Sequence, residues 1–311
     1  MIGVIFPGQG SQTVGMGKAL AEAFPVCRDA FAEADQALDE PLSRIAFEGP
    51  DETLMLTENT QPAILAVSVA AARLLESRGI SPGLVAGHSL GEYSANVVAG
   101  TFSFDEALRI VRRRGRYMQE AVPVGDGSMA AILGLDADVV AEACAAAAGA
   151  GVVSAANLNG PGQVVIAGSR DAVAKASDRA KALGAKRVVP LSVSAPFHCA
   201  LMKPAQERLA PELRALRVAK PRVPIVANVD AEPKRDAASA IEALVAQVSA
   251  PVRWEAVVRR LASEGVTTYV EVGPGTVLSG LVRKIQRDAT VRSFSSPDDL
   301  AAIESLITPH V

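Results

Sequence analysis

Apolar positions along this chain fall into two rhythms. Short apolar runs bounded by proline and glycine, at residues 1–6, 84–86, 222–229 and 266–272, read as buried strands. Between them the apolar residues return at helical spacing. Residues 17–77 are helical in pattern, and Pro25, Pro41, Pro50 and Pro62 divide them into short helices and one longer helix over 63–76. Ser103 stands three residues before Glu106, the spacing of a capping box, and opens a predicted helix over 104–120 that stops before Pro123. Further helices are predicted over 237–248, 252–263 and 276–287. Strands alternating with helices define an α/β protein with a mostly parallel sheet, whose ligands are expected at the carboxyl ends of its strands.

One segment breaks this alternation. After Gly125-Asp126-Gly127-Ser128, which has the composition of a linker, the pattern gives a strand over 129–133, a helix over 139–148, and strands over 152–156 and 163–167 around Asn159-Gly160-Pro161-Gly162. A helix over 171–183 and a strand over 186–191 complete a β-α-β-β-α-β order, the ferredoxin-like unit. Residues 127–194 are therefore expected to form a subdomain inserted into a hydrolase-like core of residues 1–126 and 195–311. The cleft between the two is an expected binding place.

The stretch Gly87-His88-Ser89-Leu90-Gly91-Glu92-Tyr93 follows the predicted strand 84–86 and leads into a helix over 92–98. This is the G-x-S-x-G elbow in its strand-turn-helix context, where flanking glycines let the chain turn sharply and hold the serine hydroxyl out. The alternative is a small-residue turn in which Ser89 only caps the helix. Of the three histidines, His310 is one of the last two residues and His88 is adjacent to Ser89, so His198 remains as a base for that serine. The loop Pro7-Gly8-Gln9-Gly10-Ser11-Gln12 is open to two readings, an anion- or oxyanion-binding loop or a tight turn. On a helical wheel of residues 104–120, Arg114 falls on the apolar side with Ala107, Val111 and Met118. A guanidinium there must find a carboxylate or several acceptors, or else snorkel to water. Gly273-Pro274-Gly275 marks another tight turn after a strand, either structural or ligand-binding.

Composition narrows the field. The 311 residues can bury a large core, and with 49% apolar residues, 21% charged residues and a net charge of −3 nothing points to nucleic acid or an anionic membrane. Cys27, Cys144 and Cys199 lack metal-ligand spacing and read as reduced thiols of a cytoplasmic protein. The apolar N-terminus lacks a preceding basic residue and meets Pro7-Gly8 at once, so it reads as a strand and not as a signal peptide. The longest apolar run, 62–72, falls well short of the ~20 residues of a membrane span.

Phe6-Pro7-Gly8-Gln9-Gly10-Ser11-Gln12, the elbow, Arg114-Gly115, His198 and Glu271-Val272-Gly273-Pro274-Gly275 occur in the order and spacing of the malonyl-CoA:acyl carrier protein transacylases, which nearly the whole chain resembles. That family includes the acyltransferase domains of polyketide and fatty acid synthases. No carrier-protein or ketosynthase region flanks these residues, so the resemblance is to the freestanding enzyme of bacterial fatty acid synthesis. It implies ping-pong transfer from malonyl-CoA to the phosphopantetheine thiol of holo acyl carrier protein, for fatty acid synthesis or, as the alternative, polyketide synthesis, with no cofactor or metal of the enzyme's own. It further implies that Ser89 is the nucleophile and His198 its base, and that the Gln9 and Leu90 N–H groups form the oxyanion hole. Arg114 would hold the malonyl carboxylate, and the Gln247 main-chain carbonyl would orient the histidine. Asn157, on the subdomain strand facing the cleft, is carried over as a substrate-binding residue. Phe197 departs from the serine of some freestanding malonyl enzymes; a phenyl ring there favours the unsubstituted malonyl group. Two rivals stand beside this reading. A serine esterase or thioesterase would carry its histidine near the C-terminus, unlike His198. A carrier-binding scaffold with a dead site would not need Ser89, His198, Gln9 and Arg114 together.

Overall fold

A computed structural model describes residues 1–306; His310 lies outside them. The main sheet has six strands in the order β10-β9-β1-β2-β7-β8. They are β1 (Ile2–Phe6), β2 (Leu84–Gly87), β7 (Ile225–Val226), β8 (Pro233–Lys234), β9 (Thr268–Val272) and β10 (Thr290–Phe294). All neighbours run parallel except β8, which returns antiparallel along β7. Side chains alternate across a strand, so β1 feeds two cores. Val4 and Phe6 pack toward the helices Thr57–Ser77, Gly91–Ala99 and Phe104–Glu120, whereas Ile5 packs toward Trp254–Ser263 and Val277–Ile285.

The second sheet comprises β3 (Gly127–Leu133), β4 (Val153–Gly160), β5 (Gln163–Ser169) and β6 (Arg187–Pro190). Its order is β4-β5-β3-β6 with every pair antiparallel, the ferredoxin-like arrangement that the pattern predicts. The helices Ala137–Ala147 and Arg170–Ala182 close a separate small core around Ile132, Val140, Ile166 and Val173. Backbone pairing also joins the second sheet to the core, at Val252, away from the chain crossings. Val252 N–H donates to the Ala156 carbonyl and Leu158 N–H to the Val252 carbonyl, both at 2.9 Å.

Three expectations need correction. Pro62 does not end a helix; it lies inside Thr57–Ser77. The ring removes one N–H and crowds the carbonyl of Glu58, but this helix is buried over nearly its whole length, and packing outweighs the local cost. The predicted strand 222–229 shrinks to Ile225–Val226, because Asn228 leaves the ladder to bond toward the turn after β2. The helix predicted from 252 starts at Trp254, since Val252 is taken up by the bridge to β4. Pattern alone also assigns nothing to the helix Lys203–Arg214, which contains Pro204 and Pro211. Cys27, Cys144 and Cys199 are all buried as free thiols. Among the described residues no helix is long and apolar enough to cross a membrane, and no group of three or more His, Cys, Asp or Glu could hold a metal ion.

Candidate active site

At the carboxyl end of β2 the chain turns through Ser89, which sits in the left-handed region at φ 51°. The glycines on either side make that turn possible. A Cβ on Gly87 would lie 1.9 Å from the Gly91 carbonyl carbon, and one on Gly91 would lie 2.1 Å from the Phe6 oxygen. No larger residue fits at either point. Asn228 spans the elbow, accepting from Ser89 N–H at 2.8 Å and donating its amide to the Gly87 carbonyl at 2.7 Å.

Ser89 Oγ lies 2.7 Å from His198 Nε2, and His198 Nδ1 lies 3.0 Å from the Gln247 main-chain oxygen. A carbonyl can only accept, so Nδ1 carries the proton and Nε2 presents its lone pair to the serine hydroxyl. The imidazole is 3% exposed. Burial first, and then the nearby charge of Arg114, lower its pKa from 6.5 to about 3, so it is a neutral acceptor at physiological pH.

Arg114 is buried on the apolar side of Phe104–Glu120, as its wheel position implies, and is 1% exposed. It donates to the side-chain oxygens of Gln61 at 2.8 Å and Gln247 at 2.9 Å, and Nη2 lies 3.2 Å from Ser89 Oγ. None of these acceptors is a carboxylate, and among the described residues Nε has no partner. Burial holds the guanidinium pKa below its usual value. A cation is thus fixed beside the serine with hydrogen-bonding capacity to spare.

Ser89, His198, Arg114, Gln9, Asn157 and Phe197 all border one cavity of about 730 Å³ between the two sheets. Among the described residues the N–H groups of Gln9, which lines the cavity, and of Leu90, next to Ser89, have no hydrogen-bond acceptor. A second cavity, of about 480 Å³, lies near the amino ends of β2 and β7. Its two guanidiniums, Arg73 and Arg222, already pair with Glu33 and Glu76, so it offers no comparable convergence of polar groups.

Sequence reasoning assigned no role to Glu92, Asn228, Gln61 or Asn159. Glu92 is 1% exposed and accepts from Gln247 Nε2 at 2.9 Å and Asn228 N–H at 3.0 Å. Burial pushes its pKa up to about 7 against those two hydrogen bonds. Asn159 Oδ1 lies 2.9 Å from His88 Nε2, which ties the histidine beside the elbow to the second sheet. The available signal for Asn228 was a polar side chain at the carboxyl end of an apolar run, where ligands of α/β sheets gather.

A serine hydroxyl on a strand-to-helix elbow, met by a neutral imidazole, defines an acyl-transferring site, and the acyl transferase domain family matches residues 4–297. The chain is 48% identical over 307 residues to the malonyl CoA-acyl carrier protein transacylase of Bacillus subtilis, covering 98% of this chain and 97% of that protein. The crystal structure of an acyl carrier protein S-malonyltransferase from Vibrio cholerae matches with a TM-score of 0.95 at 46% identity, over 97% of this chain and 99% of that one. A malonyl-transacylase solved in complex with a type II PKS acyl-carrier protein matches with a TM-score of 0.96 at 46% identity, over 98% and 99% of the two chains. The chain belongs to the malonyl CoA-acyl carrier protein transacylase family.

Proposed function

We propose that this protein transfers a malonyl group from malonyl-CoA to the phosphopantetheine thiol of holo acyl carrier protein, through a malonyl ester on Ser89, in the cytoplasm and in the service of fatty acid synthesis. The observation that carries the proposal is Arg114, a buried cation 3.2 Å from a serine hydroxyl that is itself 2.7 Å from a neutral histidine. Such a cation suits an acyl group that ends in a carboxylate, and a guanidinium can grip it with two parallel hydrogen bonds.

In the first half-reaction Ser89 Oγ attacks the thioester carbonyl while His198 Nε2 takes its proton. The oxyanion is met by the N–H groups of Gln9 and Leu90. The C–S bond breaks, and the imidazolium returns the proton to the departing CoA sulfur. In the second half-reaction His198 takes the proton of the carrier's thiol, the sulfur attacks the malonyl ester, and the C–O bond to Ser89 breaks with reprotonation of the serine. The Gln247 carbonyl holds the imidazole in the required tautomer throughout. Phe197, 8% exposed on the cavity wall, occupies space that a branched acyl group would need, and Asn157, which lines the same cavity, contributes a polar contact. In this reading residues 127–194 form the inserted subdomain and residues 1–126 and 195–311 the core.

A second reading, loading of a polyketide carrier by the same chemistry, has one observation behind it: the similar malonyl-transacylase solved with a type II PKS acyl-carrier protein. Mass spectrometry of the intact protein after brief exposure to malonyl-, methylmalonyl- and acetyl-CoA, followed by holo carrier protein, tests the proposal. A malonyl adduct on Ser89 that disappears when the carrier is added is expected. Free malonate with no carrier adduct would mean a thioesterase, and an adduct that persists in Ser89→Ala would overturn the nucleophile.

A further inference from the structure

We propose that Glu92 is a positioning residue for this transfer: one oxygen of its carboxylate, Oε2, joins Asn228 to Gln247 and thereby keeps Ser89 and His198 in register. The inference rests on the serine-based reading above. Oε2 accepts from two donors, Asn228 N–H at 3.0 Å and Gln247 Nε2 at 2.9 Å. Each donor residue then grips the nucleophile. Asn228 accepts from Ser89 N–H and donates to the Gly87 carbonyl, and Gln247 Nε2 donates at 2.8 Å to the Ser89 carbonyl. Both main-chain polar groups of Ser89 therefore lead, through one residue each, to the same carboxylate oxygen.

Two features give this arrangement work to do. Ser89 occupies a left-handed conformation unfavourable to a residue with a side chain, and such a conformation persists only where the surroundings over-determine it. The Gln247 amide, in turn, has two interchangeable orientations. An acceptor at Oε2 selects the one with its NH₂ toward Glu92, which leaves Oε1 to accept from Arg114 at 2.9 Å. In the other orientation Gln247 would point NH₂ at a guanidinium that has no lone pair to receive it. The same residue supplies the main-chain carbonyl that orients His198, so a displaced Gln247 disturbs serine, base and arginine at once.

The test uses Glu92→Leu, Glu92→Gln and Asn228→Ala in the full-length protein, with Ser89→Ala as control. The readouts are the rate of labelling by an uncharged fluorophosphonate, kcat and KM with malonyl-CoA and acetyl-CoA, and Tm. The probe reports the serine-histidine pair and makes no use of the Arg114 charge. Glu92→Leu is expected to lower the labelling rate and both kcat values by about a hundredfold, the scale of a misplaced reacting group, with KM for malonyl-CoA changed by less than about threefold. Glu92→Gln, whose amide oxygen can take the place of Oε2, is expected to recover most of that loss. Native labelling in Glu92→Leu, or a loss in Glu92→Gln as deep as in Glu92→Leu, overturns the inference. If Glu92→Leu does not fold, Asn228→Ala cuts one arm of the arrangement and is expected to slow labelling by at least about tenfold; an unchanged rate refutes the proposal. Equal labelling of the native protein and Ser89→Ala would instead remove the nucleophile assignment on which the inference stands.

Discussion

Arg114 is a buried cation whose acceptors are two amides and a hydroxyl, so a carboxylate on the substrate would complete its coordination. Arg114→Ala would leave the malonyl anion unpaired in a dry cavity, a loss of about 3–5 kcal/mol, or roughly a hundredfold to a few thousandfold in malonyl transfer. Acetyl transfer has no such anion to satisfy. The expected result is a steep fall in kcat/KM for malonyl-CoA with acetyl-CoA preserved or improved, and a parallel fall for both would return Arg114 to a structural role. Lysine should restore only part of the activity, because it lacks the planar fork. His198 supports a second expectation. Because its pKa is lowered from 6.5 to about 3, it stays neutral and able to accept a proton far into acid. Glu92, at about 7, titrates within the working range, yet either protonation state can keep an oxygen facing its two donors. The kcat/KM for Ser89 acylation, which reports the free enzyme, should therefore stay level from about pH 8 down to about pH 5. An inflection within that range that persists in Glu92→Gln would show that His198 titrates well above about 3. At this scale the sequence exposed the groups that carry unusual chemistry, a serine between glycines and an arginine on an apolar stripe. It concealed Asn228 and Glu92, whose proposed role rests on contacts between residues some 140 positions apart, beyond any local pattern.

The short elements around the site owe their placement to a few polar atoms. Glu271, wholly buried in β9, accepts from the N–H groups of Leu278 at 3.1 Å and Ser279 at 2.7 Å. It thus satisfies the start of the helix Val277–Ile285 from outside that helix. Between them the chain passes Gly273 at φ 129°, where an added Cβ would come within 2.4 Å of Ser68 Oγ. The Glu-Val-Gly-Pro-Gly motif therefore reads as a structural junction. Glu271→Ala should cost about 2 kcal/mol in urea or thermal unfolding through the two orphaned N–H groups, while activity per folded molecule stays close to native. A large loss of activity without loss of stability would place the motif in the chemistry after all. Elements were legible where local rules governed them: the helix Phe104–Glu120 begins and ends where Ser103 and Pro123 indicated, and the ferredoxin-like order follows from periodicity alone. They were illegible where tertiary packing prevailed, as in the helix that runs through Pro62, or where two residues suffice for a strand, as in β8, and in β7 only the extent was misjudged.

At the scale of the molecule, residues of the core and of the second sheet line one cavity, and exposed basic residues lie beside a contact between the second sheet and the helix Val277–Ile285. Lys186 lies over Gly134, which adjoins Gly162 at the tip of the β4-β5 hairpin, and Gly160 at the same tip lies beside Ile285 of the helix that carries Arg283 and Lys284. With Arg187 and Arg287 these residues are exposed, and among the described residues none is in an ion pair. An acidic carrier would meet a complementary surface here. Charge reversal at Lys284 and Arg287 should slow the carrier half-reaction about tenfold at low salt, chiefly in its on-rate, and spare loading from malonyl-CoA. Equal loss in both half-reactions would assign the patch to the phosphates of CoA. The backbone link through Val252 bears on how this assembly works. Its two hydrogen bonds flank a residue with no solvent exposure, and each contributes a net of about 0.5–1.5 kcal/mol, so together they resist separation of the second sheet from the core at this point. The second sheet is thus pinned to the core at Val252 as well as at the chain crossings. An acyl group or thiol arm entering the cavity would then meet Arg114 and Phe197 at spacings that this pin helps to fix.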